Sequence, residues 1–230
     1  TAFLEQVYER NTMKIAILYE KTAQSISENI AYMIESHQCT VVWYQADEVW
    51  NAAIYPNPSA LLQDVTHIVF ILAENMAVLN SAYLFFLGMG VGRKMPIFVL
   101  PAGTAPLLPE NCRQFITALT VDGFERYFVS EQQSFVKTEQ KKHAREQLLH
   151  LGFPCFDFNF VAAVEEGSCE VVQLFLDAGF DASLCDVRGT PVLSLAIRNG
   201  HYETTSLLLA HGADINLRAK DRSYSALMEA

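Results

Sequence analysis

The sequence predicts two domains of different class: an α/β domain with a doubly wound parallel sheet, followed by an all-α helical solenoid. In the first half, short apolar runs typical of buried strands alternate with helical segments. In the second half, a pattern recurs after 33 residues. The 230 residues, 51% of them hydrophobic, suffice for two small globular cores. We expect the α/β domain over residues 1–125, a helical connector with a degenerate capping repeat over 126–151, and the repeats over 152–230.

Four apolar runs in the first half are typical of buried parallel strands. They are Lys14–Tyr19, Thr40–Tyr44, His67–Leu72 and Pro96–Leu100. Ser25–Glu35 has the apolar spacing of a helix, and Ser81–Leu87 is the helix expected between the third and fourth strands. Buried strands joined by helices imply a parallel sheet with helices on both faces.

Three glycines, Gly88, Gly90 and Gly92, follow this last helix. A phosphate-binding glycine loop leads from a strand into a helix N-terminus, whereas the order here is helix, glycines, strand. We therefore expect Gly88 and Gly90 to allow a close approach of helix and sheet, and Gly92 to end the helix as a C-cap. Arg93 and Lys94 interrupt the apolar run before the roughly 18 residues of a membrane span, so no membrane segment is predicted.

Polar loops follow the predicted strands at their carboxyl ends, where open parallel sheets bind their ligands. The residues expected to line a crevice there are Tyr19, Glu20, Lys21, Asp47, Glu74, Asn75 and Gly103. The alternative is that the acidic residues among them are only solvated or helix-capping side chains.

The region from Lys14 to Phe124 resembles the Toll/interleukin-1-receptor (TIR) domain and the nucleoside deoxyribosyltransferase-like hydrolases. The residues that carry the resemblance are Ile17–Leu18–Tyr19–Glu20, Asp47, Ser81, Leu87–Gly88, Lys94 and Pro96–Ile97. The resemblance implies a flavodoxin-like, TIR-like sheet, and it admits self-association through this domain. In the members that split the glycosidic bond of NAD or a nucleoside, it also implies a Glu one turn before the Leu-Gly pair.

That Glu is missing from this chain. Its position falls at Phe86 or Leu87, and no acidic residue occurs from Asn75 through Pro109. We therefore expect no catalytic residue and no cofactor. On the alternative interpretation, in which the domain is a hydrolase or transferase acting on NAD or a nucleoside, the chemistry would rely on Glu20, Asp47 or Glu74. A third hypothesis is that the crevice binds a nucleotide without turning it over.

The second half contains two complete copies of the repeat and the start of a third. Equivalent residues 33 positions apart are Ala163 and Ala196, Gly167 and Gly200, Leu176 and Leu209, Gly179 and Gly212, and Asp181 and Asp214. The period and the segments Asn199–Gly200–His201, Leu207–Leu208–Leu209 and His211–Gly212–Ala213–Asp214 resemble the ankyrin-repeat family. Where that family has Thr-Pro-Leu-His, this chain has Pro191–Val192–Leu193–Ser194.

Both ends of the repeat region depart from a complete unit. The Phe-rich stretch Phe153–Phe160 is expected to pack beneath the first repeat as an N-terminal cap. The third copy begins at Ser225 and stops inside its first helix, which would leave an apolar end uncovered. We expect the chain to be a fragment of a longer repeat array, or another chain to cover this end.

The ankyrin resemblance implies a protein partner, and with it the function of an interaction or scaffold protein. The residues expected to meet the partner are Arg188, Thr190, Arg198, His201 and Tyr202. The alternative is that they are ordinary surface or repeat-consensus positions. His201 and His211 are expected to make structural hydrogen bonds rather than to bind a metal.

Composition excludes several other functions. The net charge of −10 argues against nucleic-acid binding. No pair of the five cysteines has the CxxC spacing, so neither a metal site nor a disulfide framework is predicted. The N-terminal residues lack a signal-peptide pattern, and we expect a cytoplasmic location without membrane contact.

Overall fold

The structure is a computed structural model that describes residues 12–47, 58–73, 80–101, 110–220 and 228. The chain forms two compact units, Thr1–Val136 and Lys137–Ala230. None of the helices in these described ranges is both long enough and apolar enough to cross a membrane.

The first unit contains a five-stranded sheet in which every paired strand is parallel to its neighbour. The strands are β1 (Lys14–Tyr19), β2 (Thr40–Gln45), β3 (His67–Leu72), β4 (Ile97–Pro101) and β5 (Thr117–Ala118), and their spatial order is β2-β1-β3-β4-β5. The predicted parallel sheet is confirmed, and the four predicted strands match to within one residue at each end. The short strand β5 was not predicted.

Helices cover both faces of this sheet. They are α1 (Gln24–Ser36), preceded by a short 3-10 turn (Lys21–Ala23), then α2 (Pro58–Leu61), α3 (Ser81–Gly92), α4 (Glu110–Arg113) and α5 (Val121–His150). Buried residues of α1 and the first turns of α5 pack with Ile15 and Ile17 of β1, whereas α3 packs with Ala16 and Leu18 of the same strand. Because β3 is covered on both faces, all six of its residues are buried.

Helix α3 differs from the prediction at its C-terminal end, because it continues through all three glycines to Gly92. The expectation for Gly90 is confirmed, since a Cβ there would lie 2.8 Å from the Cδ1 atoms of Ile68 and Ile97. The expectation for Gly88 is wrong, because a Cβ there would meet nothing within 4 Å. Gly92 is not the C-cap, a position taken by Arg93. Tertiary burial of α3 outweighs the cost of about 1 kcal/mol for each helical glycine.

The second unit contains the end of α5 and two helix pairs. The pairs are α6 (Asp157–Glu166) with α7 (Cys169–Asp177), and α8 (Val192–Arg198) with α9 (Tyr202–Ala210). Both pairs and the end of α5 share one apolar core, which includes Leu148, Phe160, Phe175, Leu195 and Leu208. This is the stacked arrangement that the 33-residue period predicts, because a single pair cannot bury its own apolar face.

The Phe-rich stretch is only partly buried, so the prediction of a cap is wrong for two of its residues. Phe160 is buried, and Phe153 packs against the core. Phe156 and Phe158 are 58% and 64% exposed, and their rings stack with centroids 5.7 Å apart. The cause is helical geometry: α6 turns Phe160 inward, and Phe158, two residues earlier, therefore points away from the core.

Candidate functional site

The first candidate site lies at the carboxyl ends of β1 and β3, where the sequence predicts a crevice. Glu20 follows β1, and Asn80 is the N-cap of α3 on the connection that follows β3. The Asn80 Nδ2 atom donates a hydrogen bond to Glu20 Oε1 over 3.1 Å. Asn80 Oδ1 accepts hydrogen bonds from the backbone nitrogens of Ala82 and Tyr83, at 3.0 and 3.2 Å. The N-cap therefore holds the Glu20 carboxyl in a defined position.

The electrostatics of the crevice raise the pKa of Glu20 and keep the nearby Tyr83 neutral. Burial raises the pKa of Glu20, the Asp47 carboxylate raises it further, and the hydrogen bond from Asn80 partly offsets both effects. The Tyr83 hydroxyl donates to the carbonyl oxygen of Ile71 over 2.9 Å. Burial raises the pKa of Tyr83, with smaller contributions from Glu20 and Asp47, so its hydroxyl keeps its proton. The carboxyls of Glu20 and Asp47 thus lie close to each other, where hydroxyl groups of a ligand could donate to them.

The other predicted crevice residues fall into two groups. Tyr19 packs edge-on against Trp43, with ring centroids 5.6 Å apart, and Lys21 lies exposed in the 3-10 turn. Glu74, Asn75 and Gly103 lie outside the described residues. Asn80 was missed, although an Asn directly before an apolar helical run is a recognisable N-cap signal.

The positions where the TIR resemblance places a catalytic Glu belong to the core. Phe86 is fully buried, and its ring lies 4.9 Å from that of Tyr44. Leu87 is also buried in the same apolar cluster. A carboxylate at either position would lie among apolar side chains, away from Glu20 and Asn80 at the start of the helix.

The second candidate site is a groove of about 390 Å³ in the second unit. It lies between α6 and the loop that leads into α8. The lining residues are Asp157, Phe158, Val161, Ala162, Glu165, Cys185, Asp186, Val187, Arg188, Thr190, Leu195 and Arg198.

Hydrogen bonds fix the tip of the loop beside this groove. Asp186 Oδ1 accepts from the backbone nitrogens of Arg188 and Thr190, at 2.9 and 2.7 Å. The backbone nitrogen of Asp186 donates to the Thr190 carbonyl oxygen over 2.9 Å. The tip therefore presents Val187 with its side chain 100% exposed, and Arg188 beside it.

The structure brings three of the five predicted partner-binding residues to the groove. Arg188, Thr190 and Arg198 line it, although Thr190 is only 2% exposed. His201 and Tyr202 are not among the lining residues. The sequence did not identify Asp157, Phe158 and Glu165 of α6 as groove residues. An exposed acid or phenylalanine on a helix indicates a binding site only when the residues across the groove are known.

His201 connects the two helix pairs. Its Nε2 atom lies 2.8 Å from the carbonyl oxygen of Glu165, which can only accept, so Nε2 carries the proton. The Asn199 side chain donates to the same carbonyl over 3.2 Å. His201 thus makes the structural hydrogen bond that the sequence predicts for it, whereas Tyr202 is 83% exposed at the start of α9.

A metal-binding cluster does not occur within the described ranges. In them, no three histidine, cysteine, aspartate or glutamate side chains are placed to hold a metal ion.

The stacked helix pairs and connecting loops define a helical-repeat protein. A family model for ankyrin repeats (3 copies) matches residues 160–230, so the repeats are ankyrin repeats. The chain is also 39% identical over 219 residues to a putative ankyrin repeat-containing protein of Treponema pallidum (strain Nichols). The match spans 95% of this chain and 73% of that relative. The chain belongs to this family of ankyrin repeat-containing proteins, and the match extends over both of its units.

Shorter matches join the chain to other ankyrin-repeat proteins. A 2-5A-dependent ribonuclease of Mus musculus is 38% identical over 66 residues, which are 28% of this chain and 9% of that protein. An ankyrin repeat domain-containing protein 29 of Danio rerio is 40% identical over 57 residues, or 24% of this chain and 19% of that protein. Ankyrin repeats imply protein–protein interaction.

Proposed function

We propose that this protein is an interaction or scaffold protein whose ankyrin repeats bind a partner protein through the groove between α6 and the loop 185–190. The observation that carries the proposal is the loop tip. Its hydrogen bonds hold Val187 fully exposed beside a concave surface. A fixed, exposed apolar side chain loses little conformational entropy on binding and gains from leaving water.

Capture of partners on the immobilised full chain tests this proposal. The double variant Val187→Asp/Arg188→Glu changes only exposed side chains at the loop tip, so it should fold normally. Tyr202→Ser is the control, because Tyr202 is also strongly exposed but lies outside the groove. We expect proteins identified by mass spectrometry to be retained by the wild type and the control and lost by the double variant. Equal retention by all three would contradict the proposal.

The α/β unit is a TIR-like domain without catalytic activity that serves assembly or ligand sensing. The strand order supports this assignment, because β2-β1-β3-β4-β5 is the order of flavodoxin-like sheets. The buried Phe86 at the position of the expected Glu supports a non-catalytic role. Self-association of this unit is part of the same proposal, and sedimentation velocity over a range of concentrations tests it.

A second candidate function rests on the crevice itself. Glu20, Asp47 and Asn80 meet at the switch between β1 and β3, the point at which doubly wound sheets bind ligands. A carboxyl whose pKa is raised can hold and deliver a proton. The crevice could therefore bind NAD or a nucleotide, or hydrolyse its glycosidic bond with Glu20 or Asp47 as the acid.

Two assays separate binding from turnover. Release of nicotinamide from NAD, lost in Glu20→Gln but kept in the control Glu35→Gln on α1, would establish the hydrolase and contradict the non-catalytic proposal.

Binding without turnover is measured by the thermal shift of the first unit with NAD and other nucleotides. A ligand at 100 times its Kd raises the free energy of unfolding by about 2.7 kcal/mol. Both tryptophans belong to residues 1–136, so their fluorescence reports on this unit. The absence of any shift would leave assembly as the role of the unit.

A further inference from the structure

The groove of the second unit has a charge and apolar pattern that selects its partner. We infer that it binds an extended peptide segment in which an apolar side chain lies next to a lysine or arginine. The inference rests on the proposed function and adds the chemistry of the partner.

Helix α6 forms an acidic wall with an apolar middle. Asp157, Phe158, Val161 and Glu165 all line the groove. At 1.5 Å per residue, Asp157 and Glu165 are about 12 Å apart along the helix. Phe158 and Val161 lie between them, and Phe158 remains 64% exposed. A segment lying along this wall therefore meets a carboxylate, an apolar surface and a second carboxylate in succession.

The other wall is the loop tip, whose fully exposed Val187 lines the same groove as Phe158. The groove of about 390 Å³ is near the lower end of the roughly 300–1,000 Å³ of ligand pockets. It admits one or two side chains of an extended segment rather than a whole helix. The apolar anchor of the segment thus fits between Phe158 and Val187.

The charges of the groove favour a basic residue beside that anchor. Three carboxylates line it, from Asp157, Glu165 and Asp186, against the two guanidinium groups of Arg188 and Arg198. Asp186 already accepts two backbone hydrogen bonds, and Arg198 already has an interaction within the chain. Within the described residues, no ion pair occupies Asp157 or Glu165. These two carboxylates attract a cation and repel an acid along the α6 wall, in a chain of net charge −10.

Selection from a phage library of random 12-residue peptides on the immobilised full chain tests the inference. Peptides that also bind the Val187→Asp variant are discarded, so that the remaining ones depend on the groove. Their affinities are then measured by fluorescence polarisation with the wild type and with the charge-reversal variant Asp157→Lys/Glu165→Lys. The matched control, Glu170→Lys/Glu203→Lys, makes the same change in net charge at exposed positions outside the groove.

We expect the selected peptides to share an aromatic or aliphatic residue within about three positions of a lysine or arginine. The charge-reversal variant should weaken their binding roughly tenfold or more, and the control should stay within about twofold. Selection on the charge-reversal variant itself should yield acidic peptides. The inference would be overturned if the wild type selected acidic peptides, or if the charge-reversal variant bound the selected peptides as tightly as the wild type. The groove would then still be a binding site, but not one for basic segments. Failure to recover any peptide that depends on Val187 would overturn the proposed function as well.

Discussion

At the residue scale, Gly167 and Gly200 occupy equivalent positions in the two repeats but have different surroundings. Both have positive φ angles, 72° and 75°. A Cβ on Gly167 would lie 2.6 Å from His201 Cγ, whereas one on Gly200 would meet nothing within 4 Å. Each therefore needs glycine for its backbone, and only Gly167 also needs it for space.

The pair gives a prediction with an internal control. Gly200→Ala should lower the free energy of unfolding by about 1–2 kcal/mol, the cost of a left-handed non-glycine residue. Gly167→Ala should cost more, because it also displaces the His201 ring from its hydrogen bond to Glu165. Urea unfolding followed by far-UV circular dichroism measures both. Equal losses of unfolding free energy in the two variants would show that the contact of Gly167 with His201 contributes nothing to stability.

Two buried hydroxyls in the repeats have no hydrogen-bond partner among the described residues. They belong to Ser194, at the position where ankyrin repeats have histidine, and to Thr204. Thr204→Val should raise the free energy of unfolding by about 1 kcal/mol, because it replaces an unsatisfied hydroxyl with a methyl group. The neighbouring Thr205 donates to the His201 carbonyl oxygen over 2.8 Å. Thr205→Val should therefore lower stability in the same urea experiment, and an opposite order of the two variants would contradict this explanation.

The buried His67 makes the first unit sensitive to acid. Its Nε2 atom lies 3.5 Å from Glu131 Oε1, its Nδ1 atom lies 2.8 Å from Thr66 Oγ1, and its ring contacts the rings of Phe98 and Phe135. Burial lowers the pKa of His67, and the Glu131 carboxylate only partly opposes this effect. The folded state therefore keeps the ring neutral at pH values where the unfolded chain takes up a proton.

The sign of the pH dependence follows from this lowered pKa. Above about pH 6.5 neither state is protonated, and the effect on stability vanishes. Below that value stability should fall by up to about 1.4 kcal/mol per pH unit until the folded pKa is reached. His67→Gln should flatten the change of Tm between pH 7.5 and 5.5, measured by the tryptophan fluorescence of the first unit. An unchanged slope in His67→Gln would contradict the assigned burial effect.

The place of a residue in the fold could be predicted from the sequence where a single local pattern determines it. Glu20 and Asp47 were named from their places after strands, and their carboxyls lie close enough for Asp47 to raise the pKa of Glu20. Asn80 carried an N-cap signal that was present and missed. Phe158 was predicted as part of a buried cap and is exposed instead. The direction of its side chain depends on the residue at which α6 begins, and the sequence did not predict that residue.

At the element scale, α3 shows how packing extends a helix beyond its sequence signals. Gly90→Val should lower the free energy of unfolding of the first unit by about 1–3 kcal/mol, because its branched side chain has no room against Ile68 and Ile97. Gly88→Ala, in open space on the same helix, should raise it by about 0.5–1 kcal/mol. Urea unfolding followed by tryptophan fluorescence reports on this unit. Stabilisation by both substitutions would show that α3 does not approach the sheet closely.

Elements with a long apolar run were predicted well, and short ones were not. Strands β1 and β3 match their predicted ranges because each is a continuous apolar run bounded by polar residues. Strand β5 has two residues, too few for any period, and it exists only because β4 offers it a pairing edge. The C-terminal end of α3 was placed too early because glycine propensity was weighed without the burial that opposes it.

At the whole-molecule scale, the sequence establishes two kinds of architecture in one chain, and the match to the Treponema pallidum relative extends over both. Periodicity sufficed for the repeats, since a 33-residue period has few structural solutions. The groove could not be predicted, because its two walls come from Asp157–Glu166 and from the loop 185–190 of the next repeat. Their charge pattern exists only after folding brings them together.

The function proposed for the repeats depends on a partner protein binding in their groove. Hydrogen exchange measured by mass spectrometry on the full chain, with and without a partner or peptide selected on it, locates the bound surface. We expect exchange to slow at least about tenfold in residues 157–165 and 185–191 and to stay unchanged over Tyr202–Ala210. Protection confined to residues outside the groove, with none in these two segments, would contradict it.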